Sequence, residues 1–262
     1  MKFHPLVAGV AEIANRHRAR TNRDRLFQEL YDCIVENWRR HREREPRRWP
    51  TAKNWTHRVA PNFTPHPKQR REKQLQKQIA ICLRDDGWGN DMPTASGLVN
   101  SGGRQMNIDL VCRQASQFDL VELKLTSNTP YDAAIQILQY GAIYLLYRNH
   151  EELTELFTDK PVMHASDIRL KVLAPRQYYS NSEFSLRVLE TELNYQLQNS
   201  PACAHLGTRL SFAFVAFPQE FEYSPGMDCA EIRKAVDGIA KLFQQPATTR
   251  GIIESRFGTA VI

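Results

Sequence analysis

Residues 107–125 read NIDLVCRQASQFDLVELKL. Two apolar runs, IDLV and DLVELKL, carry Asp109, Glu122 and Lys124 where a buried strand has no use for charge. Branched and aromatic residues at a spacing of two predict strands over 105–113 and 118–125, joined by a loop over Gln114–Gln117. Centring this hairpin between Ala115 and Ser116 sets Val111 against Leu120, Asp109 against Glu122 and Asn107 against Lys124. Directly opposed side chains have Cβ atoms roughly 4.5–5.5 Å apart. Asp109, Glu122 and Lys124 would then share one face of the pair. Ile108, Leu110, Cys112, Val121, Leu123 and Leu125 would form an apolar face that helices must cover.

Two carboxylates facing each other repel, so one must take up a proton or a cation must lie between them. Carboxylate oxygens, a nearby backbone carbonyl and water make a hard, oxygen-rich site suited to Mg²⁺ or Mn²⁺. Lys124 adds a positive point charge that could hold a phosphate or position a water. The plainer reading is a surface strand with an ordinary Glu-x-Lys pattern and an unrelated Asp, and Glu-x-Lys alone is a common sequence.

The flanks add to the hairpin. KQRREKQLQKQIAICLRDDG reads as a helix ending at Gly87, with Leu75, Ile79 and Leu83 on one stripe and Glu72 at its head. Glu72 is either an acid favoured by the helix dipole or a group aimed into a site. A strand is expected near 97–100, before the hairpin. After it, a long helix over about 129–150 carries Gln136 and Tyr140 one turn apart. A strand at 168–174, a helix across SLRVLETELNYQLQ, a strand at 210–217 and a helix at 229–243 complete the order α-β-β-β-α-β-α-β-α. That is an α/β chain with a mixed sheet flanked by helices.

Charge divides the 262-residue chain unevenly. Residues 1–71 hold 17 Lys and Arg against 7 Asp and Glu, a balance of +10, and the remainder balances at −4 for an overall +6. A basic first quarter suggests a polyanionic partner. Within it, Leu6, Val10, Ile13 and Ala14 fall on one helical face, as do Leu26, Phe27, Leu30, Ile34 and Trp38. The stretch PRRWPTAKNWTHRVAPNFTPHP has too many prolines for regular structure. Arg39, Arg40, Arg47 and Arg48 would neutralise phosphates, and Trp38, Trp49 and Trp55 could stack on unpaired bases or form a small core with Phe27 and Leu30. The five cysteines are widely spaced, with no Cys-x-x-Cys pair and no Cys/His cluster at zinc spacing. Small buried thiols in a reducing cytoplasm are expected, and no apolar run is long enough for a membrane span.

Taken in order, these pieces resemble the PD-(D/E)XK nuclease superfamily, the restriction-endonuclease-like fold with its αβββαβ core, over about residues 68–217. A helical Glu72 comes first, then a Gly-containing strand entry (MPTASGL), Asp109 in IDLV, Glu122-x-Lys124 in VELKL, and a helix bearing Gln136-x-x-x-Tyr140, similar to the exonuclease and resolvase-like branches. Ile108 stands in place of the proline in the family's name, outside the metal site. The resemblance implies a nuclease-like domain over 67–262 behind a basic, mostly helical extension over 1–66 suited to nucleic acid. It implies that Asp109, Glu122 and the backbone carbonyl of Leu123 bind Mg²⁺, with Mn²⁺ able to substitute, and that Glu72 contacts metal through water or binds a second ion. Lys124 would orient and help activate the attacking water, Gln136 would brace the site, and Tyr140 would pack beneath it or meet the DNA backbone.

The expected activity is metal-dependent hydrolysis of phosphodiester bonds in DNA, with RNA substrates and a homodimer or larger complex left open. The alternative is a catalytically silent protein of the same fold that binds nucleic acid or serves in assembly. An unrelated hydrolase is disfavoured, because the chain has no Gly-x-Ser-x-Gly and no Gly-rich phosphate loop.

Overall fold

The computed structural model describes residues 4–19, 23–59, 69–180, 182–204 and 206–243. Among them the helices are α1 (Val10–Arg18), α2 (Leu26–Arg44), α3 (Arg71–Cys82), α4 (Pro130–Asn149), α5 (Glu151–Thr154), α6 (Arg176–Tyr179), α7 (Leu186–Asn199) and α8 (Cys229–Asp237). The strands are β1 (Trp88–Pro93), β2 (Asn107–Gln114), β3 (Gln117–Leu123), β4 (Asp167–Ala174), β5 (Arg209–Ala216) and β6 (Ala240–Lys241). They form one mixed six-stranded sheet in the order β1-β2-β3-β4-β5-β6. The β1–β2–β3 meander is antiparallel, β3, β4 and β5 run parallel, and β6 returns antiparallel.

The hairpin forms in the register read from the sequence: Leu110 opposes Val121, Val111 opposes Leu120 and Gln114 opposes Gln117. Ala115, the first of the two turn residues, takes a φ of 53°, which mirror-image hairpin turns require. The parallel step from β3 to β4 needs a long crossover, and α4 supplies it. Its start is fixed by Pro130 in the first turn and a reciprocal capping box between Thr129 and Asp132. On one face of the sheet, Ile108, Phe118, Leu120, Leu170, Val172 and Phe212 pack with α4. On the other, Leu110, Val121, Leu123 and Leu173 pack with Leu75 and Ile79 of α3 and Ile232 of α8.

The expected apolar face needs one correction. Ile108 packs on the α4 side although Leu110, two residues on, packs on the α3 side. Alternation breaks at Asp109. The ladder bridges Asn90 to Leu110 and Met92 to Ile108 but skips the row between them, where Asp91 stands against Asp109. Asp91 has a φ of 53°, an uncommon left-handed conformation for a residue with a side chain. Irregularities of this kind re-aim side chains next to functional sites.

Other differences have local causes. The stretch expected to be a strand at 97–100 is a loop: the Leu98 N–H bonds back to the Ala95 carbonyl and Gly97 turns the chain at a φ of 77°. The first strand lies earlier, in WGNDMP, whose Gly, Asn, Asp and Pro read as a turn. Its Gly87 entry has a φ of 85°, and a Cβ there would strike the Arg113 carbonyl oxygen. The helix expected over 229–243 ends at Asp237 and is followed by β6.

Composition changes near residue 66, but packing does not. Leu6, Val10, Leu26, Phe27, Leu30, Ile34, Trp38 and Trp55 belong to the same core as α4 and the sheet, and the proposed boundary itself lies at 60–68, outside the described residues. Trp38 packs at a tilt against His150, ring centroids 4.5 Å apart, and Trp55 meets Tyr144 and Tyr147 edge-on, so these two buried tryptophans are core residues. Trp49 is exposed, with the Arg42 guanidinium 3.9 Å above its ring. Two of the five cysteines are joined, Cys82 at the end of α3 to Cys229 at the start of α8, a pairing the reading of small buried thiols did not anticipate. No helix among the described residues is long and apolar enough to cross a membrane.

Candidate metal centre

At the C-terminal end of β3 the sequence-predicted acids and lysine come together. Lys124 Nζ donates to Glu122 Oε1 at 2.6 Å and lies 3.4 Å from Gln136 Oε1 on α4. Asp109 Oδ2 accepts the Leu123 N–H at 3.1 Å, so a carboxylate takes a backbone acceptor's place one row beyond the last β2–β3 pair. The Lys124 N–H meanwhile donates to the Leu173 carbonyl at 2.9 Å, so the β4 side of β3 stays in register. Beneath, Tyr140 donates its hydroxyl to the Asn107 carbonyl at 2.7 Å and locks α4 to the start of β2.

Glu122 and Lys124 are buried and Asp109 is half-buried. Burial raises the Asp109 carboxyl above its ordinary value, although Lys124 pulls it back. Burial and the neighbouring Asp109 charge push Glu122 well above the usual range. Burial disfavours charge on Lys124, but the Glu122 carboxylate more than reverses that and raises it. No donor reaches Glu122 Oε2, and the Asp109 carboxyl lies close enough to share a proton with Glu122. A buried polar atom left in this state costs about 1–3 kcal/mol, so this oxygen calls for a proton or a cation.

No family model, curated protein or solved structure matches the chain. The site is therefore read from its own atoms. Among the described residues no group of three or more His, Cys, Asp and Glu side chains gathers to hold a metal. The donors available at the hairpin are two carboxylates, Asp109 and Glu122, with the Leu123 carbonyl between Glu122 and Lys124 in the chain. An all-oxygen set that leaves room for water fits Mg²⁺ or Mn²⁺ better than a soft cation.

Glu72 is brought to the same end of β3 in a different role. Its Oε1 accepts both the Leu125 N–H and the Ser127 hydroxyl at 2.8 Å, pinning the loop between β3 and α4. The four arginines singled out by charge lie elsewhere. Arg39 and Arg40 are exposed on α2, with Arg40 paired to Glu36 at 2.7 Å, and Arg48 pairs with Glu45. Arg47 sits in the following turn. Among the described residues no hydrogen bond or ion pair links them to the hairpin acids.

The sequence reading missed a supporting layer. Gln76 on α3 donates to the Asp109 carbonyl and, at 3.3 Å, to Asp91 Oδ1. Lys73 also pairs with Asp91, whose Oδ2 accepts from Asn90 at 3.0 Å. Gln76 lies one turn after Glu72 and one turn after Lys73, and helical spacing alone could have placed both near the site once β1 was recognised.

Proposed function

We propose that this chain is a metal-dependent nuclease with a restriction-endonuclease-like core, hydrolysing phosphodiester bonds in DNA. The observation that carries the reading is the buried Glu122, one oxygen held by Lys124 and the other without a donor, beside a second carboxylate, Asp109, whose charge raises its proton affinity. Asp109 accepts the Leu123 N–H through Oδ2, and its charge also raises Glu122's proton affinity, which a cation between the two carboxylates would relieve.

Asp109, Glu122 and the Leu123 carbonyl would hold Mg²⁺, or Mn²⁺ in its place. A cation bound there supplies a hydroxide near neutral pH and neutralises charge on the phosphate. Lys124, kept cationic by Glu122, would hold the attacking water and stabilise negative charge that develops on the phosphoryl oxygens. Gln136 limits where the lysine can point, Tyr140 fixes the helix that carries Gln136, and Glu72 sets the loop at the mouth of the site. The excess of arginine in the first quarter would supply phosphate contacts and salt-sensitive binding.

A cleavage panel over single-stranded, duplex, flap and four-way DNA and over RNA, with Mg²⁺, Mn²⁺ or EDTA, tests this directly. Cleavage should require the divalent ion and vanish in Asp109→Ala and Lys124→Ala while DNA binding persists. Cleavage that survives EDTA, or an Lys124→Ala variant of wild-type rate, would overturn it. Binding without cleavage under every condition would leave the silent, nucleic-acid-binding reading in its place.

A further inference from the structure

Three tryptophans lie in the basic first quarter, and two of them belong to the core: Trp38 is 4% exposed and Trp55 1%. Trp49 is 45% exposed, a large apolar ring that folding has left in water.

Its surroundings hold it in place. The Arg42 guanidinium lies 3.9 Å from the centre of the indole ring, a cation on an aromatic face. Arg42 is itself fixed, donating to the Pro46 and Arg48 carbonyls and, at 2.9 Å, to Glu152. Just after Trp49, the Thr51 N–H donates to the Ser96 carbonyl at 2.8 Å, and buried Asn54 exchanges two hydrogen bonds with Ser96. The Trp49 carbonyl oxygen sits so near Gly97 that a Cβ there would lie 2.7 Å from it. The ring is therefore exposed but anchored.

Charge gathers around it. Residues 39–49 hold six arginines against two glutamates, a balance of +4. Arg40, Arg42 and Arg48 pair with Glu36, Glu152 and Glu45. Arg39, Arg44 and Arg47 are exposed, and among the described residues none of the three makes a hydrogen bond or ion pair. Arg47, two positions before Trp49, lines an open depression with Glu45, Pro46 and Arg48.

We infer that Trp49 and Arg47 form a binding site for an unpaired nucleotide of a single-stranded nucleic acid, its base stacked on the indole and its phosphate met by the arginine. This rests on the nucleic-acid half of the reading above and names the strand that the basic first quarter takes. Every base has a π-face to offer an aromatic ring. In a duplex those faces are covered by neighbouring pairs, so stacking favours unpaired bases, while arginine adds charge without reading sequence. A membrane surface suits this place less well, because it takes a face of several apolar side chains. Between residues 23 and 59 no large apolar side chain other than Trp49 is exposed.

The test uses full-length Trp49→Ala, Trp49→Phe and Arg47→Gln, titrated in Ca²⁺ with fluorescein-labelled oligothymidylate, oligouridylate, duplex DNA and phosphatidylserine vesicles. Trp49→Ala should melt as the wild type does, because the ring is open. It should bind oligothymidylate about tenfold more weakly and duplex within about twofold of wild type, and Trp49→Phe should restore most of the loss. Arg47→Gln should weaken single strand and duplex together and flatten the salt dependence. A matching loss on oligouridylate supports the inference and extends the ligand to RNA. Unchanged oligothymidylate binding in Trp49→Ala, or equal losses on single strand and duplex, would overturn it and leave the nuclease reading intact. A marked drop in melting temperature in Trp49→Ala would also overturn it, by making the ring structural. Vesicle binding lost in Trp49→Ala, with no hold on oligothymidylate, would assign the surface to a membrane instead. If the wild type cleaved nothing in Mg²⁺ yet lost oligothymidylate binding in Trp49→Ala, the nuclease reading would fail and this inference would stand. If the wild type bound no nucleic acid, both would fail.

Discussion

Asp109 stands in for a backbone carbonyl to Leu123: its Oδ2 accepts the Leu123 N–H at 3.1 Å, one row past the last β2–β3 pair. The strands are held apart there by a side chain instead of being zipped together. A carboxylate committed to this place is fixed in direction before any ligand arrives, and its charge falls on Glu122 whether or not a cation is present.

Without metal, Glu122 costs the fold stability. A glutamate whose proton affinity rises on folding stabilises fully below its unfolded value, and that contribution is lost as pH rises through the folded one. Glu122→Gln should therefore melt no lower than wild type in EDTA, with an advantage that grows as pH rises. Lys124→Met should melt lower, by on the order of 2 kcal/mol, because it strips the donor from a buried carboxyl. Thermal denaturation in EDTA checks both, and cleavage should be lost in both.

Glu72 divides two roles that one substitution cannot separate. Glu72→Gln keeps an acceptor for the Leu125 N–H and the Ser127 hydroxyl, whereas Glu72→Ala removes it. If Glu72 only anchors the loop, the Gln variant should retain cleavage within about threefold, and the Ala variant should lose about 1–2 kcal/mol of stability. A Gln variant as inactive as Asp109→Ala would return Glu72 to the metal's surroundings.

Much of this site was legible in the sequence, and what was not has physical reasons. The Asp109–Glu122–Lys124 grouping follows from strand periodicity and a two-residue turn, both local properties. β1 was not legible, because its Gly89, Asn90, Asp91 and Pro93 have turn propensities that tertiary pairing overrides. Ile108 was assigned to the wrong face because the break in alternation at Asp109 depends on Asp91, a residue on another strand. The Cys82–Cys229 bond joins residues separated by 147 positions, and sequence alone does not determine which cysteines pair. Charge asymmetry identified the basic first quarter and periodicity its apolar stripes, but not that α1 and α2 join the main core, because that depends on α4 and α7, which are distant in sequence.

Glu190 gives a pH-dependent test away from the site. It is buried on α7, where its Oε2 accepts the Phe214 N–H at 2.8 Å, and burial raises its pKa from the ordinary 4.5 to about 7. The folded state holds this proton more tightly, so Glu190's stabilising contribution is complete below about 4.5 and lost as pH rises through about 7. Glu190→Gln keeps an acceptor and carries no charge. It should be more stable than wild type at about pH 8 by up to roughly 3 kcal/mol, with the gap closing by about pH 5. Urea denaturation at the two pH values would show it, and equal stabilities at about pH 8 would refute it.

The Cys82–Cys229 bond ties α3, which carries Glu72 and Gln76, to α8 across a separation of 147 residues. Reduction, or the double variant Cys82→Ser/Cys229→Ser, should cost about 2–4 kcal/mol. Thermal melts with and without reductant should differ for wild type and coincide for the double variant.

Gly141 sets how closely α4 approaches the sheet: a Cβ there would lie 2.6 Å from Leu170 Cδ1 on β4. Gly141→Ala should destabilise by about 1–3 kcal/mol despite alanine's better helix propensity. Because the same helix carries Gln136 and Tyr140, cleavage should fall as well. A variant as stable and active as wild type would show that the helix has room to shift.

The side chains that close the sheet's flanks also restrict how copies of this chain could meet. On β5, Asn194 and Glu190 occupy the Phe212 and Phe214 N–H groups that β4 leaves over. Along β1, Trp55 donates to the Pro93 carbonyl and Asn90 donates to the Arg58 carbonyl, and the strand added at the far side is the two-residue β6. An open row of peptide groups is what lets one sheet continue into another molecule, and these four groups on the two long flanks are bonded within the chain. A copy that paired through either long flank would first have to displace these bonds.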